Sequence, residues 1–504
     1  MNPARLHPTC LSELPRNVRQ PAFDRRALRI GIVHLGLGAF ARAHLAAVND
    51  DALDAGAALD WGIRGVSLRH AEVRDALAAQ DGLYSLALRD AAGSQQRVIG
   101  SVLGCAVAPA DPQAVVSRMA NAHTRIVSLS VTEKGYCHDP ATRALNFTHA
   151  DIEHDLAHAL APRSAIGFVV RGLQARRASG GLPLTLLSLD NLPSNGDTLR
   201  GLVLAFAERV DRGLARWIER ECTFPNSMVD RIVPRTSAAD LAAAAQALGV
   251  QDAAAVVAEP FLAWAVEDRF AAGRPDWSLG GAQFVERVEP YEKLKLRLLN
   301  GAHSAIAYLG VQAGWATVDA AIAQPALVRF IDALLRDEVA PTVAAELPGF
   351  DLAAYRVQLL QRFANPALAH RCAQIAMDGS QKIPQRLLNT VRDRLTAGAP
   401  VAHLALALAG WLHFLRGHDE AGNGHAIDDP LAPALQALWR EAEALADAHA
   451  RAEHFTRFRP VFGDLASEPR LVEALAPALQ SLRERGVAAT LILPLPLGEG
   501  RGQG

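Results

Sequence analysis

Cysteine is scarce in this chain, and what there is of it is scattered. Five cysteines stand at positions 10, 105, 137, 222 and 372, with no CxxC pair and no Cys/His grouping at zinc spacing. A disulfide framework is therefore not expected, which fits a reducing, cytoplasmic setting. No run approaches the roughly eighteen unbroken apolar residues of a membrane helix. Met1 to Arg19 mixes Pro, Arg, Glu and His and lacks the apolar centre of a secretory signal. A surplus of one charge is missing too: 51 Lys and Arg face 53 Asp and Glu, a formal net charge of −2. Nucleic-acid phosphates call for a basic excess that is not here.

What is present is a long, globular composition. With 504 residues and half of them apolar, the chain is too long for one ordinary domain. Residues 1–27 read as a polar lead-in. Leu28 to Leu35 is a short apolar run ending at Gly36, a buried strand entering a glycine turn, and Phe40 to Asp50 has helical content. Further β-rich runs occupy Trp61 to Leu68, Arg125 to Val131 and Leu182 to Leu189. Strands alternating with helical segments predict a mostly parallel sheet covered by helices. From about Pro290 the strand-like runs give way to Ala/Leu-rich helical patterns that continue to Leu482. The expected fold class is α/β plus all-α. The expected divisions are a dinucleotide-binding domain over 28–287, a helical substrate domain over 288–490, and a disordered tail over 491–504.

Gly36-Leu37-Gly38-Ala39-Phe40-Ala41 fits G-x-G-x-x-G/A, with alanine at the third position. A strand precedes it and a helix follows, which is the context the motif requires. Gly36 allows the tight turn, and Gly38 lets backbone approach a pyrophosphate at the helix start. The competing reading is a plain glycine turn between any strand and helix. No acid stands at the tip of the second strand, where one would hold the ribose hydroxyls of NAD; Arg69 there leaves NADP open.

The segment Pro290 to Ser304 is the most chemically loaded. As a helix at about 100° per residue, with Lys295 at zero, Glu292 falls near 60°, His303 near 80° and Asn300 near 140°. Four polar groups thus share one face of a leucine-rich helix. Gly301 costs such a helix about 1 kcal/mol, which suggests close approach of another segment or a ligand. Reducing a ketone with hydride needs a proton donor, and a desolvated lysine can serve. Asparagine amides can donate to the oxygen as charge develops. The competing reading is a helix whose polar residues cap its neighbours.

Five motifs in order make the chain resemble the long-chain mannitol dehydrogenase family of polyol and sugar-acid dehydrogenases. They are Ile32 to Phe40, Ser130 to Tyr136, Asp190 to Gly196, Phe224 to Arg231 and Lys295 to Ser304. The resemblance implies an N-terminal Rossmann-type domain, a C-terminal helical domain and metal-free chemistry. It implies Lys295 as general acid/base, Asn191 and Asn300 as the pair stabilising the oxyanion, and His303 and Asp230 as holders of substrate hydroxyls. Gly36, Gly38, Ala39, Phe40, Thr132, Glu133 and Asp190 are the expected cofactor contacts, with NAD favoured. The usual pattern has histidine where Ala41 stands. Ala373 to Arg386 looks most like fructuronate reductases, whereas mannitol-oxidising members tend to carry arginine at Gln374. Lys382 and Arg386 are then expected to meet a substrate carboxylate. The partner is thus a small sugar acid, ketose or polyol. The alternatives are a mannitol or arabinitol dehydrogenase, a dinucleotide-binding protein without catalysis, and a metal-dependent lyase acting on sugar acids.

Overall fold

The structure is a computed structural model that describes residues 4–139, 142–368 and 370–492. The chain divides into two compact units, Met1–Glu289 and Pro290–Gly504.

The first unit is built on a six-stranded parallel sheet. Its strands are β1 (Ile30–Leu35), β2 (Gly62–Ser67), β5 (Val102–Val107), β6 (Ile126–Leu129), β7 (Leu184–Ser188) and β8 (Cys222–Thr223). Their spatial order is β5-β2-β1-β6-β7-β8, and every pairing is parallel. Counted within the sheet, that is 3-2-1-4-5-6, the order of a Rossmann fold. The reason lies in the sequence: β1, β6 and β7 carry apolar residues on both faces and are buried throughout, apart from half-buried Ile30. Strand order reverses between β1 and β6, where Leu35 sits opposite Leu129. The crevice beyond the carboxyl ends at such a switch point is where α/β sheets bind ligands.

Two small sheets complete the unit. One orders β10 (Val256–Ala258), β3 (Tyr84–Asp90) and β4 (Gly93–Ile99); the other orders β12 (Gln283–Val285), β11 (Ala263–Glu267) and β9 (Ser227–Asp230). The N-terminal segment is not a loose lead-in. Leu6, Cys10, Leu14 and Val18, each four residues after the last, are buried against Leu83, Val98 and Leu248. Prolines at 8 and 15 break up the pattern in the sequence; a short 3-10 helix over Pro8–Glu13 carries Cys10, and the other three lie on the segments beside it. The helix expected over Phe40 to Asp50 is two pieces, Ala39–Ala43 and Leu45–Asp54, broken at His44 (φ −110°, ψ −85°).

The second unit is helical, and no named strand occurs among its described residues. Its core gathers around the run Glu289–Gln312, with Leu298, Leu299, Ile306 and Leu309 all buried. Helix Ala402–Phe414 packs beside it so closely that a Cβ on Gly410 would lie 2.9 Å from Leu309 Cδ2. Residues 493–504, which hold nearly all of the expected tail, lie outside the described residues.

Candidate active site

In the first unit the site residues gather at the carboxyl ends of β1, β6 and β7. Gly36 follows β1 with φ +88°, and a Cβ there would come within 2.3 Å of the Ser130 carbonyl oxygen. Glycine is demanded at this position by the protein's own backbone. Gly38 differs: a Cβ there would meet nothing nearer than the Gly36 oxygen at 3.8 Å. Ala39 and Phe40 then open the short helix, and the Phe40 ring stacks on His44 at 5.1 Å. Ala41, at the third position of the motif, is fully buried.

A buried histidine fixes this turn. His34 on β1 lies opposite Ser128 on β6. Its Nδ1 is 2.8 Å from Ser128 Oγ, and its Nε2 is 2.9 Å from Ser130 Oγ. Ser130 Oγ donates to the Gly36 carbonyl at 2.9 Å. With that hydroxyl proton committed, Ser130 must accept from His34 Nε2–H, so the ring is the neutral Nε2–H tautomer. Burial pushes its pKa down to about 4.

Asp190 joins the loops after β6 and β7. One carboxylate oxygen accepts from the Val131 N–H and the Tyr136 hydroxyl, and the other from the Thr132 N–H, all at 2.8–2.9 Å. Its carboxylate is engaged by protein donors, so Asp190 is a brace between two loops where a direct cofactor contact was expected. Thr132 and Glu133 are exposed at the loop tip, and Thr132 is held at φ +63°, a strained value for a side-chain-bearing residue. Burial raises the Asp190 pKa, and these hydrogen bonds oppose the rise.

Asn191 follows Asp190 and is exposed. Asp230 ends β9 and is buried. Two buried asparagines link their loops. Asn195 Nδ2 donates to the Asp190 carbonyl at 3.0 Å and the Ser227 carbonyl at 2.8 Å, while its Oδ1 accepts from the Ser227 N–H. Asn226 Oδ1 accepts from the N–H groups of Gly196 and Asp197, and its own N–H donates to Glu267. A Cβ on Gly196 would strike the Pro225 carbonyl at 2.5 Å, so the motif glycine exists for this contact. Arg231 donates to the Ala43 and Glu259 carbonyls, tying β9 to the helix after the glycine turn. The sequence reading did not assign these bracing roles; buried polar residues inside the motifs were the available signal.

In the second unit Lys295, Asn300 and His303 lie on one continuous helical run, but its middle is not an α-helix. Glu289–Leu294 is α, Lys295–Asn300 is π, and Gly301–Gln312 is α again. The wider i→i+5 turn invalidates the angular reckoning made at 100° per residue. π segments occur mostly as insertions in α-helices, frequently at functional sites. Gly301 has the expected close neighbour: a Cβ would lie 2.9 Å from the Arg386 carbonyl oxygen. Arg386 Nη1 in turn donates to Ser304 Oγ at 3.1 Å and reaches the Asn300 carbonyl at 3.4 Å. Arg386 sits in a second π segment, Pro384–Leu388.

His303 is buried, 4.6 Å from the Phe363 ring and 5.7 Å from the His370 ring. Burial first, then His370, Arg362 and Arg386, hold its pKa well below the usual histidine value, so the ring is neutral. Lys295 and Asn300 are half-buried. Lys382 Nζ donates to the Met377 carbonyl at 2.6 Å and lies 3.9 Å from Asp378. It therefore braces its own turn, where Asp378 has φ +55°. Arg362 and His370 were not singled out from the sequence; they are scattered in a segment without a motif.

Among the described residues, one set of metal-ligand atoms lies within 4.8 Å of one another: Cys137, His149 and Asp151. Burial and the nearby Asp151 and Asp155 push the Cys137 thiol up to about 11, and His149 Nδ1 accepts from the Asp151 N–H. None of the three belongs to the residues described above.

A parallel sheet in Rossmann order, with its glycine turn at the switch point, and a helical unit carrying lysine, asparagine and histidine on one run define a two-unit oxidoreductase. Comparison with known proteins narrows the class. Residues 30–279 match the mannitol dehydrogenase Rossmann domain, and residues 287–483 match the mannitol dehydrogenase C-terminal domain. The chain belongs to the mannitol dehydrogenase family. A D-mannonate oxidoreductase of Escherichia coli is 42% identical over 94% of this chain and 97% of that protein. A mannitol 2-dehydrogenase of Phaeosphaeria nodorum is 41% identical over 97% of this chain and 85% of that protein. The solved Pseudomonas fluorescens mannitol 2-dehydrogenase, a ternary complex with NAD and D-mannitol, superposes with a TM-score of 0.80 at 37% identity. That match covers 97% of this chain and 98% of the other.

Proposed function

We propose that this protein is an NAD-dependent, metal-independent dehydrogenase whose substrate is a sugar acid, interconverting D-fructuronate and D-mannonate. The observation that carries the substrate is the surroundings of His303, where two arginines, Arg362 and Arg386, lie close enough to depress its proton affinity. A neutral polyol has no use for such charge, whereas a carboxylate does. The likeness to the D-mannonate oxidoreductase supports the same reading.

The fit of a dinucleotide rests on the contrast between the two glycines. Packing explains Gly36, but among the described residues no atom requires glycine at 38. Backbone approach by a pyrophosphate gives that position a reason. When bound, the nicotinamide supplies or accepts the hydride. Of the chain's own groups, the Lys295 amine takes the hydroxyl proton during oxidation and returns it to the carbonyl oxygen during reduction. The Asn191 and Asn300 amides donate to that oxygen as it gains negative charge. Neutral His303 and the Asp230 carboxylate hold neighbouring hydroxyls.

A screen at 340 nm of fructuronate, tagaturonate, fructose, mannitol and arabinitol, with NAD and NADP forms, tests this. Fructuronate with NADH is expected to give a kcat/KM at least about 100-fold above fructose, a margin that corresponds to about 2.7 kcal/mol. Turnover of mannitol or arabinitol in preference to the acid would replace the sugar-acid reading with a polyol one.

A further inference from the structure

The helical unit has a cavity that the proposed chemistry does not use. It measures about 110 Å³ and lies among four helices: Ala402–Phe414, Ala432–Glu443, Ala448–Thr456 and Pro469–Thr490. Its wall is aromatic, with the His413 and Trp439 rings meeting edge to face at 5.5 Å and Trp439 stacked on Phe455. Its charge leans positive. Among the described residues Arg416, Arg451 and Arg483 line it with the single acid Glu443, while Glu420 and Asp419 act on Arg416, and Asp447 and Glu484 on Arg451, from outside its wall.

These cations are not equally committed. Arg451 spends Nε and Nη2 on the carbonyls of Leu445 and Ala446, each at 2.7 Å. Arg416 spends Nε on the His418 carbonyl at 2.6 Å, but its Nη2 is buried with no hydrogen-bond partner among the described residues. His413 Nε2 is in the same condition, on a residue 3% exposed. Buried nitrogens in natural proteins almost always find partners. Arg416 Nη2 is a donor, and so is His413 Nε2 in the Nε2–H tautomer, so on this cationic cavity they point to a ligand rich in acceptors.

We propose that this cavity binds a small oxyanion, a phosphate or a short carboxylate, held by Arg416, Arg483 and His413. Size supports the class. A water's share of liquid is about 30 Å³, so the cavity accepts an ion of a few heavy atoms. It falls far below the roughly 300 Å³ at which pockets for whole metabolites begin, so it is not a second substrate pocket. Arginine forks match oxyanions geometrically.

The test is isothermal titration of the full-length protein at fixed ionic strength in chloride, with inorganic phosphate in one arm and oxalate in the other. Saturable binding of one ion per chain is expected in at least one arm, and the arm that binds identifies the source. Arg416→Gln and Arg483→Gln are each expected to weaken it at least about tenfold, while Arg16→Gln, on an exposed arginine elsewhere, leaves it unchanged. Arg483 is exposed, so its variant reports even where the Arg416 variant fails to fold. Binding in neither arm, or binding that survives Arg483→Gln at wild-type strength, overturns the proposal. The reading of the dehydrogenase site stands or falls separately, because none of these residues belongs to it.

Discussion

Acidification is expected to destabilise the first unit through His34. The ring is fully buried and its pKa is lowered from 6.5 to about 4 by burial, with the Gly36 backbone opposing. A group whose folded pKa is depressed below its unfolded value resists protonation in the folded state. Above pH 6.5 neither state is protonated and nothing is lost. As pH falls through 6.5 the unfolded chain takes up a proton that the folded chain refuses, so stability declines until about pH 4. The full loss is 6.5 − 4 units at 1.36 kcal/mol each, about 3 kcal/mol. By pH 5 about 2 kcal/mol of it is gone, which for a unit of this size is about 3 °C in Tm. The perturbation is His34→Asn, whose amide keeps a donor and an acceptor but does not titrate. Scanning fluorimetry of both proteins from pH 8 to pH 5 isolates the effect, because the other buried histidines cancel in the difference. The wild type is expected to lose about 3 °C more than the variant, relative to each protein's value at pH 8. Parallel Tm curves would refute the reasoning and show that protonated His34 finds compensation between Ser128 and Ser130.

Three further outcomes follow from the site. Gly38→Val is expected to fold normally, since its Cβ meets only Gly36 O at 3.8 Å, yet to weaken NADH binding at least about tenfold in a fluorescence titration; unchanged affinity places the dinucleotide elsewhere. Lys295→Ala is expected to lower kcat by about a thousandfold while dinucleotide affinity stays within about threefold; near-normal turnover makes His303 the next acid/base to test. Asn226→Ala strands the Gly196 and Asp197 N–H groups and is expected to cost about 3 kcal/mol in urea unfolding of the first unit; a loss under about 1 kcal/mol shows that water replaces the amide.

Some of this architecture was legible in the sequence, and the reasons differ by element. Buried parallel strands are written as continuous apolar runs ending at glycine, threonine or aspartate, so β1, β6 and β7 stand out before Gly36, Thr132 and Asp190. The N-terminal segment was misread because Leu6, Cys10, Leu14 and Val18 are sparse, and a polar average hides four buried residues. Asp190 illustrates a different limit. A carboxylate at a strand tip is the same letter whether it faces a ligand or accepts from Val131, Thr132 and Tyr136. Only the position of a loop nearly sixty residues earlier in the chain decides between them.

The helical run over 290–304 carries the deepest limit. Leucine spacing over 290–304 reports a helix, but it does not report the pitch. An α-helix and a π segment use the same residues and differ in which carbonyl each N–H finds. Arg386 meets the end of this π segment from outside the run. Its carbonyl occupies the space beside Gly301, and its guanidinium reaches the Asn300 carbonyl and Ser304. None of these contacts needs a substrate carboxylate, so a positioning role for Arg386 can be tested apart from a binding one. The two roles separate experimentally. Arg386→Lys keeps the charge but loses the fork, so a purely electrostatic role leaves the KM for a sugar acid within a few-fold of wild type. A role in shaping the π turn lowers kcat for every substrate alike, because Lys295 and Asn300 are displaced together. A fall in kcat of about tenfold or more on both an acid and a neutral ketose, with KM little changed, is the expected result. A selective rise in KM for the acid alone would show that Arg386 serves the substrate and leaves the helix to shape itself.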